Sequence, residues 1–138
     1  MRRRGILLAL LAAAPAGAEG DPFWIREWHF GAVSGPPGAR ARLARTGASR
    51  LVLRRDGVSD PLGESCGAEV DYADIRPRDR AAMARHFGPH WRFPVVLDTP
   101  GTVAGWVRCG GTNLVAVAFV RPGLGYQFFE DGLVIALR

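Results

Sequence analysis

One segment of the sequence has the spacing of a nucleophilic serine. Residues 63–67 read GESCG and match the G-x-S-x-G pattern, with Ser65 at its centre. Hydrolases that use this pattern hold the serine on a sharp turn between a strand and a helix. Here a loop with Pro and Gly precedes the segment and a strand-like run follows it. We therefore predict no catalytic serine.

Two histidines, His86 and His90, lie four positions apart. On a continuous helix this spacing can place two imidazoles on one metal ion. Gly88 and Pro89 lie between the histidines and end the helix there. The carboxylates are scattered along the chain, and no pair stands out as an acid/base dyad. We predict no metal site and no cofactor, and we expect a protein that is not an enzyme.

The only two cysteines are Cys66 and Cys109. An even pair in an exported chain usually forms a disulfide. The enclosed loop of about 44 residues corresponds to roughly 4 kcal/mol of stabilisation in the chain-entropy model. We predict the disulfide, and two free buried thiols remain the alternative.

All 18 basic residues are arginines, and some of them cluster. Arg40, Arg42 and Arg45 form one group that could meet an anionic partner such as a polysaccharide, a lipid head group or an acidic protein. A second group spans residues 76–85. Asp74 and Asp79 are interleaved with that second group, which favours ordinary surface pairing.

Aromatic side chains are a further candidate for binding. Small barrels sometimes enclose one ligand, although large side chains more often fill the interior. The residues that could line such a cavity are Trp24, Trp28, Trp106, Phe119, Tyr126 and Phe128.

The amino terminus has the three parts of an export signal. Three arginines precede an apolar run of 9 residues, and Ala16-Gly17-Ala18 provides the small residues of a cleavage site. The run is too short to span a bilayer. We predict a signal peptide over residues 1–18 and one domain over residues 19–138. That domain has 15 arginines and 13 acidic residues, so its weak charge and its export argue against nucleic-acid binding.

Alternating apolar residues predict about eight short strands, bounded by Gly and Pro turns. A turn at residues 130–132 predicts a final hairpin. Helix formers predict a short helix over residues 39–46, and Pro77 and Gly88 bound a second helix over residues 77–87. The predicted strands cover residues 23–33, 50–55, 68–72, 93–97, 103–109, 114–120, 126–129 and 133–137.

These elements are too closely spaced for repeated parallel crossovers. The pattern therefore favours a mostly β fold, either a small antiparallel β-barrel or a sandwich, with one or two short helices. We take the barrel as the prediction.

The order of several features resembles that of a group of small, uncharacterised exported bacterial proteins with a lipocalin-like β-barrel. The matching features include a strand with Trp near the mature start, a Gly-led strand over residues 47–55, a helix that ends at Phe87-Gly88 and a closing hairpin over residues 128–138. Between them lie a loop with Cys66, a strand with Tyr72 and a strand that ends in Cys109. The resemblance implies a lipocalin-like barrel.

Together these features predict a non-enzymatic binding module, either periplasmic or secreted. Its partner would be a protein or a component of the cell envelope, and one variant is an enzyme inhibitor that presents residues 34–38 or 60–67. The alternative is a lipocalin-like carrier of a small apolar ligand.

Overall fold

The computed structural model describes residues 20–138 apart from residues 61 and 63. In that part of the chain, ten strands and two α-helices form a nearly closed antiparallel β-barrel, which confirms the predicted fold class. The predicted export signal over residues 1–18 lies outside the described residues. None of the described helices is long and apolar enough to cross a membrane.

The strands are β1 (Glu27–Ser34), β2 (Arg50–Arg54), β3 (Gly57–Asp60), β4 (Glu64–Cys66), β5 (Val70–Asp71), β6 (Arg76–Pro77), β7 (Val103–Cys109), β8 (Thr112–Arg121), β9 (Leu124–Phe128) and β10 (Val134–Leu137). The helices are α1 (Pro37–Thr46) and α2 (Arg80–Phe87), with a 3-10 helix at Val95–Asp98. Strand β4 lies within the segment that we predicted as a loop between residues 60 and 67.

Two predicted elements differ from the structure. The predicted strand over residues 93–97 is wrong, because the chain forms a 3-10 turn in which the Leu97 N–H donates to the Pro94 carbonyl at 3.0 Å. The second helix begins at Arg80, later than predicted. Pro77 instead pairs with Val103 of β7, and the Asp79 carboxylate caps the helix by accepting from the Ala82 N–H at 2.8 Å.

The sheet runs in the order β4-β3-β2-β1-β10-β9-β8-β7-β5, and β6 adds to β7. The predicted hairpin forms, with Val134 opposite Phe128 and Leu137 opposite Gly125. Strand β8 is apolar on both faces, so the sheet separates two clusters of buried side chains. Val115, Val117 and Phe119 belong to the interior cluster, whereas Ala116, Ala118 and Val120 belong to an outer cluster with Met83 of α2.

Helix α1 connects the end of β1 to the start of β2 and therefore crosses one end of the barrel. Ala39 and Leu43 are buried in the interior cluster. On its other side, Arg42 lies 2.9 Å from the Asp131 carboxylate and 5.8 Å from the centre of the Phe129 ring. These contacts attach the helix to the turn between β9 and β10.

The sheet path ends at β4 on one side and at β5 on the other, which leaves a seam between them. Two interactions cross this seam. The predicted disulfide joins Cys66 of β4 to Cys109 of β7, with 5.9 Å between the Cα atoms. The Tyr72 hydroxyl, just after β5, donates to the Arg54 carbonyl at 2.7 Å, and the Gly57 carbonyl lies 3.2 Å away. A covalent bond and a half-buried phenol thus close the barrel.

Replacing both cysteines by alanine should lower the free energy of unfolding by about 4 kcal/mol, because the disulfide encloses a loop with a sequence separation of 43. Urea denaturation of the double variant and of the oxidised protein measures the difference. Equal midpoints with equal slopes would show that the disulfide does not stabilise the seam.

Tyr72 should make the fold sensitive to alkali. Burial, with a smaller contribution from Asp56, raises the pKa of Tyr72 from 10.0 to about 12, against the opposing effect of its hydrogen bond to Arg54. The unfolded chain then releases the phenol proton before the folded chain does, so stability present below pH 10 is lost as the pH rises towards 12. The urea midpoints of the protein and of Tyr72→Phe should converge as the pH rises from 10 to 12. A difference between the two midpoints that stays constant with pH would contradict a raised pKa for Tyr72.

Candidate functional site

The six aromatic residues predicted to line one cavity fall on two faces of the sheet. Trp24, Trp28 and Phe119 lie inside the barrel, where all three are buried. Phe119 stacks on both indole rings, with centroid distances of 5.5 Å to Trp24 and 5.2 Å to Trp28. The Trp28 Nε1–H donates to the Trp24 carbonyl at 3.0 Å. The three inner rings therefore pack against one another and form part of the barrel core.

The other three predicted residues, Trp106, Tyr126 and Phe128, lie on the outer face. Successive residues of a strand point to opposite faces, and in β7 and β9 these three alternate with the residues that face the interior. They belong to the outer cluster, beneath α2 and the segment that follows it. Phe128 is buried, whereas Trp106 and Tyr126 are half-buried.

A groove lies where this outer cluster meets the surface, and we call it the aromatic groove. Trp91, in the loop after α2, meets Trp106 edge to face, with an interplanar angle of 90° and 5.7 Å between the ring centroids. The groove encloses a cavity of about 190 Å³. Its principal lining residues are Trp91, Trp106, Leu114, Phe128, Phe129 and Glu130.

Glu130 is the only ionisable side chain that lines this cavity. It is exposed, and it forms no ion pair with any other residue that the structure describes. The nearest acidic neighbour in sequence, Asp131, is instead paired with Arg42. The groove therefore combines two indole rings with one available carboxylate.

Trp106 is held in place by a buried carboxylate below it. Asp74 Oδ2 accepts from the Trp106 backbone N–H at 2.7 Å and lies 2.7 Å from His86 Nε2 of α2. Asp74 Oδ1 lies 3.5 Å from the guanidinium nitrogens of both Arg78 and Arg108. One carboxylate thus ties α2 to β7, the strand that carries Trp106.

The environment of Asp74 favours its charged form. Burial acts to raise its pKa, but the Trp106 N–H, the His86 imidazole and the Arg78 guanidinium together outweigh this effect. The pKa of Asp74 consequently lies below its usual value of 3.8. The stabilisation that the charged Asp74 carboxylate provides is present above pH 3.8 and is lost as the pH falls through the lowered pKa of Asp74.

Another buried polar pair, Gln127 and Asp60, lies inside the barrel. Gln127 of β9 is 1% exposed, and its Nε2 donates to Asp60 Oδ2 at 3.1 Å across the interior. Asp60 Oδ1 accepts from the Leu62 N–H at 3.0 Å. The Gln127 Oε1 atom finds no donor among the described residues. The pair links β9 to β3 on the inside of the barrel.

Of the three arginines of the predicted anion site, Arg42 and Arg45 are three positions apart and share one side of α1, whereas Arg40 lies on the other side. All three are exposed, and Arg42 is paired with Asp131. In the second arginine group, Arg80 pairs with Asp98, an acid outside the group, at 2.8 Å. The interleaved Asp74 is buried instead of lying at the surface.

Two of the larger surface cavities contain mostly polar or charged side chains. One, of about 370 Å³, lies beside the start of α2. There Asp79 caps the helix and Asp98 is bound to Arg80. The other, of about 430 Å³, contains the paired Arg42 and Asp131. Asp79, Asp98, Arg42 and Asp131 therefore already have partners, and the larger of these two cavities shares Phe129 and Glu130 with the aromatic groove. We take the aromatic groove, which two indole rings line, as the candidate binding site.

The residues considered for catalysis and metal binding are dispersed. Ser65 is exposed in β4, opposite Ser59 of β3. His86 is bound to Asp74, and His90 lies exposed beyond the end of α2. Across residues 20–138, with the two gaps noted above, no group of three or more His, Cys, Asp or Glu side chains is placed to hold a metal ion.

Comparison of the chain with known protein families, with curated proteins and with solved structures finds no match.

Gly105→Ala should destabilise the protein by about 3 kcal/mol or more, because a Cβ at this position would lie 2.6 Å from the Asp74 carbonyl carbon. Gly31→Ala is the matched control. Its Cβ would lie 3.5 Å from the Ala136 carbonyl oxygen, an ordinary contact. Thermal or urea unfolding of both variants measures the contrast. Equal losses of stability would contradict the close approach of Asp74 to β7.

Proposed function

We propose that the protein is an exported, non-enzymatic binding protein of the periplasm or the extracellular space, and that it binds its partner in the aromatic groove. One observation carries this proposal. Two half-buried indole rings meet at 90° beside a carboxylate that has no ion pair in the described part of the chain. Aromatic side chains with a few polar groups are typical of binding sites.

The rigid support of the groove favours recognition. Trp106 lies on β7, which pairs with β8 on one side and with β5 and β6 on the other, and its backbone N–H is bound to Asp74. Trp91 contacts Phe87 of α2, with 5.7 Å between the ring centroids. A site whose rings are already fixed loses little conformational entropy when a ligand binds.

Export is supported by two independent features. The first is the predicted signal peptide over residues 1–18. The second is the Cys66–Cys109 disulfide, since disulfides persist mainly in oxidising compartments. Both features favour the periplasm or the extracellular space.

The carrier hypothesis places the ligand inside the barrel instead. Against it, the Phe119 ring packs directly on Trp24 and Trp28, and all three side chains are buried. A ligand in the interior would have to displace these contacts. The outer groove needs no such rearrangement.

The four tryptophans provide a test, because two lie inside the barrel and two line the groove. The full chain is expressed with ¹⁵N-labelled tryptophan in a bacterial host and isolated from the periplasmic fraction. Its four indole N–H signals are then recorded in buffer and in periplasmic extract of the source organism. We expect the Trp91 and Trp106 signals to shift, while the Trp24 and Trp28 signals stay in place. A mass that begins at residue 19 is the expected sign of export.

Each alternative gives a different result. Shifts of the Trp24 and Trp28 signals would support the carrier hypothesis. Four unchanged signals would argue against binding at the groove. Full-length protein retained in the cytoplasm with reduced cysteines would refute export.

A further inference from the structure

We propose that the ligand of the aromatic groove is a neutral carbohydrate, recognised through one pyranose ring. This inference rests on the proposed binding role of the groove and adds the chemical class of the ligand. Three observations support it: the arrangement of the two indole rings, the available hydrogen-bonding groups, and the size and charge of the cavity.

The two indole rings form a corner. Because Trp91 and Trp106 meet edge to face at 90°, the planes of the two indole rings are perpendicular. One ring can then form a flat wall of the groove, and the other can form a side wall. The C–H groups on one side of a pyranose form a flat apolar face that packs on such a wall. The same contact leaves no gap between the rings for a cation, so the geometry does not suit an aromatic cage for alkylammonium groups.

The residues of the groove include hydrogen-bond donors and an acceptor. The Trp28 Nε1–H donates to the Trp24 carbonyl inside the barrel, whereas the Nε1–H groups of Trp91 and Trp106 donate to no acceptor in the described part of the chain. Glu130 contributes a carboxylate that accepts hydrogen bonds. Sugar hydroxyls both donate and accept, so they match an indole N–H donor and a carboxylate acceptor.

The size and the charge of the cavity further restrict the chemical class of the ligand. A cavity of about 190 Å³ corresponds to about six water molecules, at about 30 Å³ each, which is enough for one sugar ring. Its one charged side chain is acidic. A uronic acid or a phosphorylated sugar would be repelled there, which leaves neutral sugars.

The test is an NMR titration of the four indole signals with methyl β-D-glucopyranoside and with N-acetylglucosamine. Cyclohexanol and choline are added separately as an apolar ring and as a cation. We expect at least one sugar to shift the Trp91 and Trp106 signals in a saturable way, with little effect on Trp28. Choline and cyclohexanol should bind more weakly.

Two variants identify the groups involved. Glu130→Gln removes a charge-assisted hydrogen bond at an exposed position and should weaken sugar binding about tenfold. Glu69→Gln, an exposed carboxylate outside the groove, is the matched control and should bind normally. Trp91→Ala removes part of the corner and should weaken binding at least as much, while an unchanged Trp28 signal reports an intact interior.

Several results would overturn the inference. Choline or cyclohexanol could bind as tightly as the sugars, or both sugars could leave the Trp91 and Trp106 signals unchanged. If periplasmic extract still shifts these signals, the binding role of the groove stands and only the carbohydrate assignment falls. If neither sugars nor extract shift them, both proposals fall.

Discussion

Closure of the barrel across the seam between β4 and β5 is the constraint on which the rest of the structure depends. The sheet path ends at these two short strands, and the Cys66–Cys109 bond joins the β4 side to β7. Tyr72 adds a phenol that is bound to the β2–β3 hairpin and packs against Trp24 at 5.3 Å. The interior cluster stays enclosed because both sides of the seam are fixed to each other.

Closure of the barrel also explains why the outer face of strands β7 to β9 carries a second cluster of apolar side chains. Strands β7 to β9 are supported from within by packed side chains, which leaves their outer face free to carry a second cluster. Helix α2 covers part of that cluster and is attached to β7 by Asp74 through His86 and the Trp106 backbone. The half-buried rings at the margin of α2 form the aromatic groove. The groove is thus a property of the sheet and the helix together.

Much of the fold follows from local sequence signals. The alternation in β7, the turn at residues 130–132 and the cysteine pair predict the hairpins, the barrel and the disulfide. The 3-10 turn after Pro94 was not predicted, since a short apolar run has no periodicity to distinguish it from a strand. Likewise Pro77 suits the start of a helix, but its pairing with Val103 depends on a strand 26 positions later.

The candidate site was less predictable. Strand β8 is apolar on both faces, so its sequence does not say which aromatic residues of the neighbouring strands face inward. Trp106 and Phe119 were assigned to one cavity although the sheet lies between them. Asp74 was read as part of an interleaved surface cluster, because its burial depends on the close approach of Gly105.

The two strands that end the sheet path are only three and two residues long. Such exposed edges can recruit the backbone of another molecule, and short edge strands limit that recruitment. The covalent link attaches β4 to β7 of its own barrel, so the bond that stabilises the fold also holds this edge against the sheet. Reductive loss of the bond would therefore leave β4 attached only by its pairing with β3 and more open to intermolecular β-pairing.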